Sequence, residues 1–353
     1  MKEKSLTDQI AFLDKAGGDK NRPLSQCRVL VTPTSYGKND PRLKTDLESF
    51  VGRVIYNPFS RPLKATELIP LVKDIDGYIA GLDEINEAVI QSAPSLRIIA
   101  RYGVGVDRVD LKAATQRKIW VTNTPGANAT AVAELTLAFI LALARQLCTV
   151  CEGTKHGDWP RTEALGLSGK TIGLIGFGAI GKEVAVRLKG FGCDLLVHDP
   201  FVEVSRGEQW GVNLVPLDRL LSQADFVSLH TALTQKTTGM VDRDFLVRMK
   251  PGAFLINTAR GELVDEPALA EAIRNGLLRG AALDCFCQEP PESNNPLLTF
   301  PQVIVTAHVG AHTDEAGNRM GWMALESCLT VLRGEQPAYA VNPEVSDHSF
   351  VRI

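Results

Sequence analysis

Short apolar runs alternate with helical stretches along most of the chain, and this alternation constrains the fold more than any other feature. Strands separated by helix-length connections pair in parallel, and helices must then cover both faces of the sheet. The first half offers strands at residues 28–32, 54–56, 77–80, 96–100 and 120–122, with helices at 83–92 and 110–117. A turn at Asn123-Thr-Pro-Gly126 interrupts the series. Residues 127–150 then read as one long helix, apolar most of the way round and so expected to be buried between domains or subunits. A second series follows, with strands at 171–175, 195–198, 226–229, 254–257, 281–284 and 303–306. Those six strands and their crossovers make a doubly wound sheet. The last helix, 316–333, has to pack back elsewhere. The expected organisation is a split first domain, residues 1–126 and 310–353, around an inserted domain, 127–309. Residues 1–26 form a loosely held extension with one short helix near 6–13.

A chain of 353 residues exceeds one ordinary core, which agrees with two domains. Its formal net charge is -3 with no long block of one sign, which argues against a nucleic-acid surface or a polybasic membrane patch. The longest apolar run, 135–144, falls well short of the roughly 20 residues of a spanning helix. Residues 1–26 lack the apolar core of a signal peptide, so a cytoplasmic location is expected. The seven cysteines then read as reduced thiols. Cys148 and Cys151 lie in an apolar helical stretch, Cys285 and Cys287 in an apolar strand. With no histidine cluster to complete a zinc set, both pairs read as buried thiols and no metal is expected.

Gly176-Phe177-Gly178-Ala179-Ile180-Gly181 follows the strand 171–175 and opens a helix running to about Lys189. In that context the three glycines have distinct jobs. Gly176 permits the tight turn, Gly178 lets a pyrophosphate approach backbone N–H groups, and Gly181 lets helix and strand pack closely. The helix N-terminus adds partial positive charge. Asp199 closes the next strand, where a carboxylate can accept both ribose hydroxyls of NAD and repels the 2′-phosphate of NADP. NAD is therefore the expected cofactor.

Three more segments stand at C-terminal ends of strands in the same sheet: Asn257-Thr258-Ala259-Arg260-Gly261, Asp284-Cys-Phe-Cys-Gln-Glu289-Pro290 and Ala307-His308-Val-Gly-Ala-His312-Thr313. Ligands of open α/β sheets sit at such ends. An arginine, a carboxylate and a histidine converging there suit hydride chemistry on a 2-keto acid. The cation holds the substrate carboxylate and polarises the C2 carbonyl. A histidine gives or takes the hydroxyl proton, and the carboxylate orients the imidazole and favours its charged form.

With these motifs in place, together with Arg101-Tyr-Gly-Val-Gly-Val-Asp107 and Val132-Ala-Glu134, the sequence resembles the D-isomer specific 2-hydroxyacid dehydrogenases, in particular their phosphoglycerate dehydrogenase branch, from about Cys27 to Val345. The resemblance implies an α/β protein of two doubly wound parallel-sheet domains, a NAD-binding Rossmann domain inserted into a flavodoxin-like substrate domain. It implies Arg260, Glu289 and His308 as the catalytic trio, selecting His308 over its nearest rival His312 and over the weaker contender His230. Val104 and Gly105 match a loop whose amides meet the substrate carboxylate, and Asn128 supports that region. Thr231, Thr258, Ala259 and Asp284 match positions at the nicotinamide half of NAD. A homodimer is also implied, with residues 127–165 as the candidate interface.

Two departures bear on the substrate. Ala307 stands where relatives usually carry proline. The segment Tyr78-Ile-Ala80-Gly-Leu-Asp83-Glu84 lacks the arginine that phosphoglycerate-using relatives tend to carry near Ala80, leaving Arg61, Arg101 or an arginine of a second subunit as substitutes. Phosphoglycerate, hydroxypyruvate, glyoxylate and bulkier keto acids all stay open. The chain ends at Ile353, so no serine feedback is expected. The competing readings are a NAD(H)-sensing binding protein like the corepressors of this fold, a hydroxypyruvate or glyoxylate reductase, and a relative acting on formate or an inorganic oxyanion.

Overall fold

The computed structural model describes residues 23–203, 207 and 209–346. The short helix expected near residues 6–13 lies outside them. The chain divides into two compact units. One comprises residues up to Asn128 together with those from His312 onward, and the other is Ala129–Ala311.

The first unit is built on a parallel sheet of order β2-β1-β3-β4-β5, with β1 Arg28–Val31, β2 Arg53–Tyr56, β3 Gly77–Ala80, β4 Ile98–Arg101 and β5 Trp120–Thr122. Alternate side chains leave opposite faces. Val29, Val31, Ile79, Ile98 and Ala100 pack with Leu325, Cys328 and Leu329 of the helix Asp314–Leu332. Leu30, Tyr78, Ala80, Ile99 and Val121 pack on the other side with Leu68, Val89, Ile90 and Ala113. Helices thus cover both faces, which is why β3 and β4 are apolar almost throughout and buried at every position.

The helix expected over 83–92 forms only as Glu87–Gln91, capped by the Asn86 side chain. Residues ahead of it are drawn into extended contacts instead. Ile85 bridges Val109, and the buried Asp83 carboxylate accepts from Leu63 N–H at 2.8 Å, Gly81 N–H at 2.9 Å and the Tyr78 and Thr32 hydroxyls. These tertiary hydrogen bonds offer more than one further helical turn could, and no periodicity reveals them.

The second unit is a parallel sheet of order β12-β11-β10-β9-β6-β7-β8, with β6 Thr171–Ile175, β7 Asp194–His198, β8 Asn213–Leu214, β9 Phe226–Leu229, β10 Ala253–Asn257, β11 Leu278–Leu283 and β12 Val303–Val305. The winding reverses between β6 and β9, creating the crevice where such sheets bind ligands. Seven strands replace the six expected, because a two-residue edge strand is too short to show a pattern. Both faces are buried by apolar clusters, one around Leu255, Phe245 and Leu269, the other around Phe226, Phe254 and Val184.

Two further expectations are corrected here. The long helix over 127–150 is two helices, Ala129–Arg145 and Leu147–Lys155, bent by 63° at Gln146, whose backbone is left-handed at φ 49°. The returning segment takes the hydrogen-bonding groups at the break. Leu165 N–H donates to Ala144 C=O at 2.8 Å, and Gln146 Nε2 donates to Glu163 C=O at 2.9 Å. The second helix buries none of its residues, so the Cys148 and Cys151 thiols are exposed rather than buried. Cys285 and Cys287 lie just beyond β11 rather than in it, the first buried and the second exposed. Among the described residues no cluster of His, Cys, Asp and Glu could hold a metal ion, and no single helix is long and apolar enough to cross a membrane.

Candidate active site

At the switch point, Gly176 ends β6 with φ 96° and presses on the next strand end. A Cβ there would lie 2.6 Å from His230 C and 2.8 Å from Thr231 N. A Cβ on Gly181 would lie 2.4 Å from Gly176 O. Gly178 differs: it caps the helix Ala179–Leu188, and a Cβ on it would meet nothing within 4 Å. The open space lies beside the helix N-terminus, where Ala179 and Ile180 form the first turn, and it suits a pyrophosphate group. Asp199 follows β7. Its Oδ2 accepts from Phe177 N–H at 2.7 Å and its Oδ1 from Phe201 N–H at 2.9 Å, so the carboxylate is fixed beside the glycine turn. These residues fit a dinucleotide.

The three candidate polar segments leave β10, β11 and β12 side by side. The Nδ1 atom of His308 lies 2.9 and 3.0 Å from the two carboxylate oxygens of Glu289. Nδ1 therefore carries the proton and donates it, which leaves Nε2 for a reacting group. Both side chains are largely but not fully enclosed, at 24% and 20% exposure. Glu289 Oε1 also accepts from Phe286 N–H at 3.2 Å. Arg260 belongs to the same neighbourhood. Burial pushes the Cys285 thiol well above its usual range, with Glu289 and Asp284 adding to the effect and Arg260 opposing it, and Gly261, next to Arg260, packs on the Phe286 and Cys287 backbone that leads to Glu289. The Arg260 turn is shaped by buried Asn257, whose Nδ2 donates to Arg260 C=O at 2.7 Å and whose Oδ1 accepts from Ala259 N–H at 3.0 Å. Sequence reasoning missed Asn257. Its only signal was an amide at a strand end, a residue type suited to holding turns.

Other candidate residues have partners of their own. Thr136 commits its hydroxyl proton to Val132 C=O at 2.9 Å, so Thr258 donates to Thr136 Oγ1 across 3.1 Å and faces the helix Ala129–Arg145. Asp284 is buried, its carboxylate taken by Thr306, Val309 and Gly310. His230, beneath the glycine turn, is within 3.0 Å of Ser228 Oγ through Nε2, and burial lowers its pKa from 6.5 to about 4. Its folded form resists a proton that the unfolded chain accepts. Stability is therefore complete above pH 6.5 and declines as pH falls toward 4, by about 3 kcal/mol at most. His230→Gln should flatten the acid side of a plot of thermal midpoint against pH. An unchanged slope would assign the acid loss to another group.

In the first unit, the 103–105 loop is anchored by its carbonyls. Gly103 C=O accepts from Thr124 N–H at 3.1 Å, Val104 C=O from Asn123 Nδ2 at 2.8 Å and Gly105 C=O from Arg101 Nε at 3.1 Å. In a trans peptide the following N–H points the opposite way. The amides of Val104 and Gly105 therefore face away from these anchors, as a carboxylate cradle requires. The buried Asn128 Oδ1 and Thr124 Oγ1 have no hydrogen-bond partner. The two arginines considered for a phosphate are both engaged. Arg101 is buried, donating to Ala80 C=O at 2.6 Å as well as to Gly105. Arg61 grips both carboxylate oxygens of Glu67 at 2.9 and 2.6 Å and holds that group down to about 2.

The family model described as the NAD binding domain of the D-isomer specific 2-hydroxyacid dehydrogenases matches residues 137–310. The chain is 42% identical over 284 residues to a D-3-phosphoglycerate dehydrogenase of Methanocaldococcus jannaschii, covering 79% of this chain and 54% of that protein. It thus spans about half the length of the phosphoglycerate dehydrogenases it matches. It is 40% identical over 285 residues to a glyoxylate reductase of Korarchaeum cryptofilum, covering 79% of this chain and 86% of that one. Among solved structures, the TT0316 protein of Thermus thermophilus superposes with a TM-score of 0.79 at 40% identity, over 89% of this chain and 99% of the other. With the parallel-sheet architecture and the open glycine turn, these likenesses establish that the chain belongs to the D-isomer specific 2-hydroxyacid dehydrogenase family and carries its NAD-binding domain.

Proposed function

We propose that the protein is a NAD-dependent D-2-hydroxyacid dehydrogenase that works equally as a 2-keto acid reductase. The observation that carries this reading is the two-oxygen contact between Glu289 and His308 Nδ1 at the strand ends of a NAD-binding domain, with Arg260 on the turn that packs against the Glu289 loop. Bound NAD(H) supplies or takes the hydride at C2 of the substrate. His308 Nε2 gives the proton to the C2 oxygen in reduction and removes it in oxidation. Glu289 fixes the orientation of the imidazole ring through its contact with Nδ1. Arg260 binds the substrate carboxylate and polarises the carbonyl. Asp199 selects the unphosphorylated ribose. The outward amides of Val104 and Gly105 suit a carboxylate by the same chemistry. The engagement of Arg61 and Arg101 favours keto acids without phosphate, such as glyoxylate or hydroxypyruvate, over phosphohydroxypyruvate.

The test is NADH and NADPH oxidation across a panel of 2-keto acids with the wild type and Asp199→Ser. The wild type should turn over unphosphorylated acids with NADH. Asp199→Ser should shift the preference toward NADPH by roughly tenfold to a hundredfold, since a like-charge contact is relieved. A panel without turnover would remove the reading, and NADPH preference in the wild type would remove the role of Asp199.

We also propose a homodimer formed through residues 127–165. Leu141, Leu147 and Trp159, at 36%, 59% and 75% exposure, support it as large apolar side chains left open along this stretch. Sedimentation as a monomer at micromolar concentration would dismiss it.

A further inference from the structure

We infer that Cys148 and Cys151 form a dithiol modification site, which a low-molecular-weight disulfide oxidises to a disulfide within one turn of helix. The two cysteines stand three residues apart in the helix Leu147–Lys155. Residues so spaced share a face. Both thiols are exposed, and no residue of this helix is buried. Among the described residues no third His, Cys, Asp or Glu joins them as a metal shell, so the chemistry left to the pair is that of thiols. The other cysteines are set apart. Cys27, Cys285 and Cys328 are buried, and Cys193 is half-buried with Sγ directed at Leu167 C=O across 3.4 Å. Cys287 is exposed as a residue, yet desolvation of its sulfur and the Glu266 carboxylate push its thiol up to about 12, so its thiolate is scarce.

Helix geometry decides how the bond closes. Across three residues of an α-helix the Cα atoms are about 5 Å apart, which a disulfide accepts. The Cβ atoms are about 5–6 Å apart, whereas a disulfide needs about 3.5–4.5 Å. The turn therefore tightens as the bond forms. This turn is free to do so. It follows the left-handed break at Gln146, so the preceding helix does not continue through it. It has no buried side chain to hold it in register. Thr149 Oγ1, between the two cysteines, donates to Pro301 C=O at 3.2 Å, a surface bond that water replaces at little cost. The exchange itself balances. One protein thiolate attacks a sulfur of the small disulfide, forming a mixed disulfide and releasing one small thiolate. The second protein thiolate attacks the mixed disulfide at the protein sulfur, the Cys148–Cys151 bond forms, and the second small thiolate leaves. The protein dithiol is oxidised, the small disulfide is reduced to two thiols, and the two protein protons end on them.

The experiment holds the full chain, first reduced, in graded ratios of glutathione disulfide to glutathione, then quenches with acid, alkylates and maps the peptides by mass spectrometry. Trypsin releases residues 146–155 as one peptide carrying both cysteines. As the disulfide share rises, that peptide should lose both alkyl labels together and weigh two hydrogens less, and dithiothreitol should restore both labels. In the reduced native protein, alkylation should reach Cys148 and Cys151 at least about tenfold faster than Cys287. Hydrogen exchange at the Val150 amide, which donates to Gln146 C=O at 3.0 Å, should quicken at least about threefold on oxidation. Cys148→Ser and Cys151→Ser should each retain one glutathione on the remaining cysteine, because no second thiol displaces it. Both cysteines staying open to alkylation at the highest disulfide ratio would overturn the inference. So would a glutathione retained on either one in the wild type, or a bond joining two chains, seen as a dimer on a non-reducing gel. The helix lies within the stretch proposed as a subunit interface, and protection of both thiols in the native protein would overturn the inference as well. A closed disulfide with unchanged Val150 exchange would overturn the tightening of the turn.

Discussion

His308→Gln should lose between a hundredfold and ten-thousandfold in turnover with a 2-keto acid while binding NADH as wild type does, roughly the span a positioned acid/base supplies. The reason lies in the ring's two nitrogens. Nδ1 is committed to Glu289 at 2.9 and 3.0 Å, so the chemistry falls to Nε2. A glutamine side chain fills similar space but neither gives nor takes a proton at neutral pH. The cofactor turn at Gly176–Gly181 is untouched, so fluorescence titration with NADH should be unaffected. In the wild type, Nε2 gives a proton in reduction and takes one in oxidation. His312→Ala is the control, since His312 stands as the nearest rival by sequence. If that variant loses turnover and His308→Gln keeps it, the acid/base belongs four residues along.

Much of this architecture could be read in the sequence because parallel strands covered on both faces are apolar at nearly every position. β3, β4, β9 and β10 are buried throughout, and each stands out as a short apolar run between helix-length segments. What escaped was decided by distant segments. The break at Gln146 depends on Glu163 and Leu165 returning to the helix end. The unwound start of the helix Glu87–Gln91 depends on Asp83 meeting Thr32, Leu63 and Tyr78. A continuous apolar composition hides both. It also hid the exposure of Cys148 and Cys151, which sit past that break. At the candidate site, Arg260, Glu289 and His308 stood out as strand-end charges, and the family resemblance singled out His308. Asn257 and Thr306 did not stand out, because their partners are main-chain atoms and a buried carboxylate that only the folded turns bring near.

Gly261→Ala should remove both stability and turnover. Gly261 follows Arg260 and opens the short helical turn Gly261–Leu263. A Cβ there would lie 1.9 Å from Phe286 C, 2.2 Å from Phe286 O and 2.3 Å from Cys287 N. These are backbone atoms, so no rotamer change relieves the clash, and the loops carrying Arg260 and Glu289 have to part. An overpacked site usually costs about 1–3 kcal/mol, and a collision between the backbones of two packed loops belongs at or above that range. Because those loops aim Arg260 and Glu289, even a folded remnant should lose about a hundredfold in kcat/KM. Gly178→Ala separates this effect from a general intolerance of added methyl groups. Its Cβ would meet no atom within 4 Å, so the unliganded protein should melt as wild type does. The methyl would instead stand in the open space beside the helix N-terminus, and NADH affinity should fall. Thermal midpoints without cofactor, NADH titrations and kcat/KM on both variants give the comparison. Gly261→Ala melting and turning over like wild type would mean that the two loops do not hold each other in place, and that Arg260 and Glu289 are positioned by something other than their mutual contact.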